Sequence, residues 1–335
     1  MHRLRRARPW IVAAIAVLFV AAPPEARAQQ GTRVWRIGTL HTAPSSDEVD
    51  RVAALQRGLT ELGYVAGRNV LFVNRNAGTQ MGRLPDLATE LVHSRVDVIV
   101  TSTNPTTLAA KKATTTIPII MTVGVDPVAA GLVASLARPG ANITGLTFDV
   151  DAKQLAAKRL EILKELIPSV SRVAILWNPR YGPGMSRVQG TEEAAHKLGI
   201  VTVSARLSEQ NDLERAFTEI RRARADAITV LSDPVLVALR PEITSLAARH
   251  RIPAIYALSE FVQDGGLVSY ATSLLDQWHR AARYVDKVLK GTKPNDLPIE
   301  QPTAFELWIN LKTAKALGLT IPPALLLRAE KVIDQ

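Results

Sequence analysis

Val96-Asp97-Val98-Ile99-Val100 leads to Asn104-Pro105, eight residues after Val96; Ala225-Asp226-Ala227-Ile228 leads to Asp233-Pro234 over the same distance. Each unit opens with a short apolar, β-branched run, the mark of a buried strand. Each then stops at an Asx-Pro pair, in which the Asx side chain suits a helix N-cap and the proline its first turn. A helical stretch and an Ile-Pro pair follow in both, at Ile117-Pro118 and Ile252-Pro253, with six more residues between these marks in the second copy. Upstream, Ile37-Gly38-Thr39-Leu40 corresponds to Val173-Ala174-Ile175-Leu176. From Ile37 to Gly63 is 26 residues, and from Val173 to Gly199 is also 26. Matches in one order point to two copies of one α/β lobe.

The segments between these marks keep the alternation. Residues 34–40 are rich in strand formers, and residues 47–63 place Val52, Leu55, Leu59 and Leu62 on one helical face. After residue 150 the order restarts with a helix striped by Ala156, Leu160, Leu163 and Ile167. Such alternation implies parallel strands with helical crossovers on both faces. The predicted fold class is α/β: two similar doubly wound lobes with mostly parallel sheets, joined by a multi-strand hinge. Expected crossings near 147–150, 271–273 and 297–301 give one lobe of 33–147 plus 273–300 and another of 148–272 plus 301–335.

Residues 1–28 read as a secretory signal peptide. Arg3, Arg5, Arg6 and Arg8 form the basic start, residues 11–22 the apolar stretch, and Ala26-Arg27-Ala28 the cleavage signature. The apolar stretch is shorter than the roughly 20 residues that span a bilayer. The expected location is the periplasm. The chain has no cysteine, so neither a disulfide nor a lipid attached through cysteine is available. The formal charge of +10 falls to +6 once the leader is removed, and aromatic residues are 5% of the chain. Nucleic-acid binding calls for a clustered basic stripe with interleaved aromatics; here basic and acidic residues alternate along helices, and no nucleic-acid partner is expected.

Ligands of open parallel sheets bind beyond the carboxyl ends of the strands. Asn104-Pro105, Asp126-Pro127 and Asp233-Pro234 mark such ends, each with an expected helix cap; Asn178-Pro179 marks another, and Ser45 with Glu48 fits a capping box. Capped helix N-termini around a crevice suit a carboxylate. Ser45, Ser46, Thr103 and Asn104 offer hydroxyl and amide hydrogen bonds, and Asp126 and Asp233 offer charge to an ammonium group. Asn178, Asp233 and Tyr256 are the expected contacts from the second lobe, with Tyr256 as its wall. Phe148, Trp177 and Tyr181 also lie near strand ends; Phe148 and Trp177 are read as packing residues. His41 is read as a surface or loop histidine. The six histidines form no metal-binding pair at helical spacing, and no G-x-S-x-G, G-x-x-x-x-G-K or G-x-G-x-x-G occurs. No metal, cofactor or catalytic constellation is expected.

Three long stretches carry a resemblance. They are Asn104-Pro105-Thr106 through Ile117-Pro118-Ile119; Gly131-Leu132-Val133 through Arg138-Pro139-Gly140-Ala141-Asn142-Ile143-Thr144-Gly145; and the tail from Phe305-Glu306-Leu307 through Ile321-Pro322-Pro323 to Arg328-Ala329. Through them the chain resembles the bacterial substrate-binding protein family of ABC importers that includes tryptophan- and tyrosine-binding members. The resemblance implies a periplasmic-binding fold, a small-molecule ligand trapped in the cleft by hinge closure, and docking on an ABC permease in the inner membrane. The protein is read as a monomer. A sensor that presents the same ligand to a membrane receptor, and a periplasmic enzyme on this scaffold, are the alternatives.

Overall fold

The computed structural model describes residues 33–42, 45–78, 80–148 and 152–334, without the side chains of Ser45, Ser46 and Ala152. The expected leader and the middle of the first crossing lie outside these residues. The first sheet takes β1 (Trp35–His41), β2 (Val70–Asn76), β3 (Val98–Thr101), β4 (Ile119–Gly124) and β5 (Ile143–Thr147), with helices α1 (Ser45–Glu61), α2 (Leu84–His93) and α3 (Asn104–Ala113) between them. The chain then runs α4 (Ala152–Leu166), β6 (Arg172–Trp177), α5 (Gly184–Lys197), β7 (Val201–Arg206), α6 (Leu213–Arg222), β8 (Ala227–Val230), α7 (Pro234–Ala238), α8 (Arg240–Arg249), β9 (Ala254–Tyr256), α9 (Glu260–Gln263) and β10 (Val268–Ala271). Helix α10 (Leu274–Leu289) follows, then β11 (Glu306–Asn310), α11 (Leu311–Leu317), α12 (Pro323–Arg328) and β12 (Lys331–Ile333).

The first sheet has the order β2-β1-β3-β4-β5. The second, read from its far edge, is β7-β6-β8-β9-β10, extended by β11 and β12. All pairings are parallel except β10 with β11. The order of the first five strands is therefore the same in both sheets: two α/β lobes with mostly parallel sheets. The central strands β3 and β8 are buried along their whole length, as sheets covered on both faces require. The edge strands β2 and β7 carry the exposed positions.

The amino ends of the strands are built alike. Arg36 N–H donates to Asp97 Oδ2 at 2.8 Å, Asp97 N–H returns to Arg36 O at 2.7 Å, and the Arg36 guanidinium reaches Ser94 O at 3.0 Å. In the second lobe Arg172 N–H donates to Asp226 Oδ2 at 2.8 Å, Asp226 N–H returns to Arg172 O at 2.8 Å, and the Arg172 guanidinium reaches Ala223 O at 2.9 Å. The turn before each aspartate holds an arginine in the left-handed region, Arg95 at φ 51° and Arg224 at φ 52°.

Helix α10 follows the second lobe's β10 yet packs on the first. Trp278, Ala281, Ala282 and Val285 share a core with Ile37, Leu55, Leu59 and Val98. Gly58 permits the close approach of α1 and α10: a Cβ there stands 2.4 Å from the His279 carbonyl oxygen. The crossing segments are tied to one another. Thr147 N–H donates to Glu300 O at 2.9 Å, Thr272 Oγ1 to Phe148 O at 3.1 Å, and Gln277 Nε2 to Thr147 O at 3.2 Å. Among the described residues no helix is long and apolar enough to cross a membrane.

Candidate functional site

The carboxyl ends of both sheets face one crevice, which holds two chambers. The inner cavity, of about 40 Å³, is bounded by Thr42, Arg51, Ser102 and Thr103 on one side and by Ser232 and Asp233 on the other, with Phe148 and Tyr181 among its apolar walls. The outer chamber, of about 530 Å³, lies between Asn104, Leu108 and Asp126 and the segment from Arg180 to Pro183. Tyr181 borders both.

Local folding explains who faces the crevice. Thr103, not Asn104, caps α3; its N–H donates to Thr106 Oγ1 at 2.9 Å. Asn104 is the first helical residue. Its amide clamps Val125, donating from Nδ2 to the carbonyl at 2.6 Å and accepting from the N–H at 2.9 Å. The expected Asn104 cap is thus corrected, because the backbone of Val125 outcompetes the helix for that amide. No helix follows Asp126 either. Its carbonyl accepts from Ala130 N–H at 2.9 Å, its Oδ1 from Ala129 N–H at 3.2 Å, and the chain closes in turns. Asp126 is exposed, at φ 40°, a left-handed conformation that costs a non-glycine residue energy and so marks a position worth testing for function.

Asp233 does cap its helix: Oδ1 accepts from Val235 N–H at 2.7 Å and from Leu236 N–H at 3.2 Å. Asn178 lies beside it, donating from Nδ2 to Asp233 Oδ1 at 3.2 Å and accepting from Arg180 N–H at 2.9 Å. Asn178 does not line either chamber; it holds Asp233 and the loop that carries Tyr181. Burial raises the Asp233 carboxyl to about 6, opposed by the Asn178 and backbone hydrogen bonds and by nearby Arg187. Tyr256 is a correction. It is buried in the second lobe's core, stacked on Phe261 at 4.8 Å, and walls neither chamber. Ser45 and Ser46 begin α1, and their side chains lie outside the described residues.

Sequence reasoning missed Arg51 and Ser102. Arg51 is buried on α1 at the inner cavity, with charge contacts of 3.7 Å to Asp47 and 3.5 Å to Glu260 of the other lobe. Both are longer than hydrogen bonds. The only sequence signal was the Asp47-x-x-x-Arg51 spacing on one helix face. Ser102 Oγ is buried at the cavity wall and has no partner among the described residues. His41 is corrected as well: it is buried and stacked on Trp278 at 4.9 Å, and burial, aided by the Arg51 charge, lowers it to about 3.

The lobes are bolted together beside the cavity. Arg240 of α8 grips Asp47 of α1 with two hydrogen bonds, Nη1 to Oδ2 at 2.6 Å and Nη2 to Oδ1 at 2.8 Å, and its Nε donates to Asp264 at 2.5 Å. Arg240 and Asp47 are both buried, and this bidentate pair joins an element of one lobe to an element of the other.

Comparison with known proteins agrees with this architecture. The family model described as ABC transporter substrate binding protein matches residues 42–333. A tyrosine-binding protein of Clostridioides difficile (strain R20291) is 28% identical over 285 residues, 84% of this chain and 80% of that protein. The crystal structure of an ABC domain in complex with L-Trp from Streptococcus pneumonia is 27% identical, with a TM-score of 0.82, covering 90% of this chain and 100% of that one. A ligand-free, open substrate-binding protein with adhesive properties from Clostridium difficile is 25% identical over the same shares, yet its TM-score is 0.68. At nearly equal identity, the chain superposes better on the L-Trp complex than on the open form.

Proposed function

Because this chain belongs to the family of ABC transporter substrate-binding proteins, we propose that it captures an amino-acid-like solute in the periplasm and delivers it to an ABC permease of the inner membrane. The observation that carries the reading is the inner cavity, where a buried cation, Arg51, and a buried carboxylate, Asp233, stand on opposite lobes. A zwitterion satisfies both: its carboxylate meets Arg51, Ser102 and Thr42, and its ammonium meets Asp233. Each charge is then paired in a site that excludes water, where an unpaired one is costly.

The moving units are the lobes of 33–147 plus 273–300 and 148–272 plus 301–335. A ligand that touches both lobes binds the shut form preferentially and shifts the open–shut equilibrium. The Asp47–Arg240 pair adds to the shut form, and Arg51 ties the cavity to that pair through Asp47. The leader-like start at residues 1–28 supports export. The relatives that bind tyrosine and L-Trp support an amino acid as the solute.

The test is thermal unfolding of the exported protein against the common amino acids. A bound zwitterion raises Tm by mass action, and Arg51→Gln removes the rise. A protein whose Tm no amino acid moves contradicts the amino-acid reading.

A further inference from the structure

The amino end of the second sheet carries charge that the crevice does not use. Helix α6 mixes acid and base along its length, at Glu214, Arg215 and Glu219, but the chain leaves it through Arg221-Arg222-Ala223-Arg224. Helix α8 ends on Arg249, and Arg251 follows. The strands that these turns feed, β8 and β9, are parallel neighbours with Ile228 opposite Ala254. Both helices pack into one core, and the Phe217 ring of α6 lies 6.0 Å from the ring of His250. The two arginine-bearing ends therefore stand side by side. All five arginines are exposed. Arg249 lies 3.6 Å from Glu214, whereas Arg221, Arg222, Arg224 and Arg251 enter no ion pair among the described residues. Asp226, just before β8, already accepts from the Ser171 and Arg172 amides.

The first lobe shows that the fold does not require this row. Its equivalent turns read Val92-His93-Ser94-Arg95 before β3 and Thr114-Thr115-Thr116 before β4. Helix C-termini favour a nearby cation, and there Arg95, Lys111 and Lys112 suffice; Lys111 Nζ turns in to the Gly131 and Leu132 carbonyls at 2.7 and 3.2 Å. Arg251 is held at φ 53°, a left-handed conformation that its counterpart Thr116 does not adopt. Protein interfaces are anchored by aromatic residues, and among the described residues no Phe, Tyr or Trp is exposed. An array of anionic headgroups asks only for charge, and each arginine near it strengthens attachment about fivefold. The chain has no cysteine through which a lipid could hold it at a membrane.

We propose that this pole of the second lobe, built on Arg221, Arg222, Arg224 and Arg251, is a docking surface for anionic phospholipid. It keeps the protein at the membrane surface. Because it lies at the opposite end of the strands from the crevice, it leaves the cleft free for solute. The proposal does not depend on which solute the cleft takes.

The experiment is co-sedimentation of the exported protein with vesicles of phosphatidylglycerol mixed with phosphatidylcholine, and of phosphatidylcholine alone. One variant combines Arg221→Gln, Arg222→Gln, Arg224→Gln and Arg251→Gln. A second removes as many exposed charges from the first lobe, through Arg57→Gln, Arg68→Gln, Arg83→Gln and Lys112→Gln. Thermal unfolding checks that both fold. The expected result is attachment to the mixed vesicles only, release by added salt, and a loss on the order of a hundredfold in the pole variant. The first-lobe variant should keep most of the attachment. An equal loss in the two variants makes the attachment an effect of net charge and overturns the pole. No attachment to the mixed vesicles overturns the lipid and leaves an acidic protein surface as the occupant.

Discussion

The two lobes agree at one end of their sheets and part company at the other. At the amino ends, Arg36 with Asp97 and Arg172 with Asp226 make the same backbone tie, preceded by the same left-handed arginine. At the carboxyl ends, equivalent positions carry different chemistry. Thr42 corresponds to Asn178, Arg51 to Arg187, Thr103 to Ser232 and Asn104 to Asp233. Asn104 clamps a backbone, while Asp233 caps a helix with a charge. Arg51 faces the cavity and the ion pairs; Arg187 donates to Ser232 O at 2.7 Å and lies 5.9 Å from the centre of the Phe148 ring. The difference separates scaffold from site: the repeated end ties the strands at their start, and the divergent end gives the inner cavity a cation on one lobe and a carboxylate on the other.

The largest expected effect comes where a contact has no counterpart. Asp47 aligns with Pro183, so the Asp47–Arg240 grip exists once. Arg240→Ala leaves Asp47 without its bidentate partner and is expected to favour the open form by about 3 kcal/mol. Small-angle scattering of the ligand-free protein should show a larger radius of gyration; an unchanged radius removes the grip from the closure account.

The paired arginines come next. Arg51→Gln should weaken amino-acid binding by about 2 kcal/mol, as loss of a charged hydrogen-bond donor does. Arg187→Gln should cost less than about 1 kcal/mol in affinity, since it acts on Ser232 and Asp233 from behind. Calorimetry that finds equal losses would show that the lobes contribute symmetrically.

Asp233 should give binding a pH dependence that its partner position, Asn104, lacks. Its carboxyl is raised to about 6, so the charge that an ammonium needs is lost as pH falls through that value. Affinity should drop by up to about tenfold per pH unit below 6. The groups around it are Asn178, the Val235 and Leu236 amides and Arg187, with Arg51 across the cavity, and His41 stays neutral in this range. The stability term has the opposite sign: it is fully present below the unfolded carboxyl's pKa and is lost as pH rises through about 6. Asp233→Asn keeps an N-capping side chain and should flatten both profiles; a profile that persists in this variant assigns the titration elsewhere.

The smallest effects on binding belong to the shared end. Asp97→Ala and Asp226→Ala should each cost about 1–2 kcal/mol in denaturant unfolding, with ligand affinity unchanged. In acid they need not match. Burial works to raise the Asp226 carboxyl, but hydrogen bonds from Ser171 and Arg172 prevail and hold it below its ordinary value. Its contribution is therefore present above the unfolded pKa and lost as pH falls through the lowered one.

The shared end is also what the sequence made legible. Strand runs such as Val98-Ile99-Val100 and the repeated spacing to Asx-Pro depend on local pattern, and the two α/β lobes follow from them. The crevice was only partly legible, because there the outcome is set by long-range competition. Asn104-Pro105 and Asp233-Pro234 look alike in sequence, yet Val125, remote in the chain, claims one Asx side chain and leaves the other to its helix. Asp126-Pro127 looks like a third cap, but the turn that closes on its carbonyl stops a helix from starting. Tyr256 ends its strand pointing into the core against Phe261, a direction that β9, three residues long, does not fix by pattern. Arg51 carried no motif; its place at the cavity, beside Glu260 of the other lobe, is set by tertiary structure.

The central claim is that a solute shuts one lobe on the other. The absence of cysteine makes a two-site spin label clean: Val128→Cys and Met185→Cys place exposed labels on opposite lobes. Pulsed electron–electron distances would be recorded without ligand and with saturating L-tyrosine or L-tryptophan. The account predicts a longer distance population that collapses to the short one when the amino acid is added. A single distribution that neither amino acid alters would contradict it.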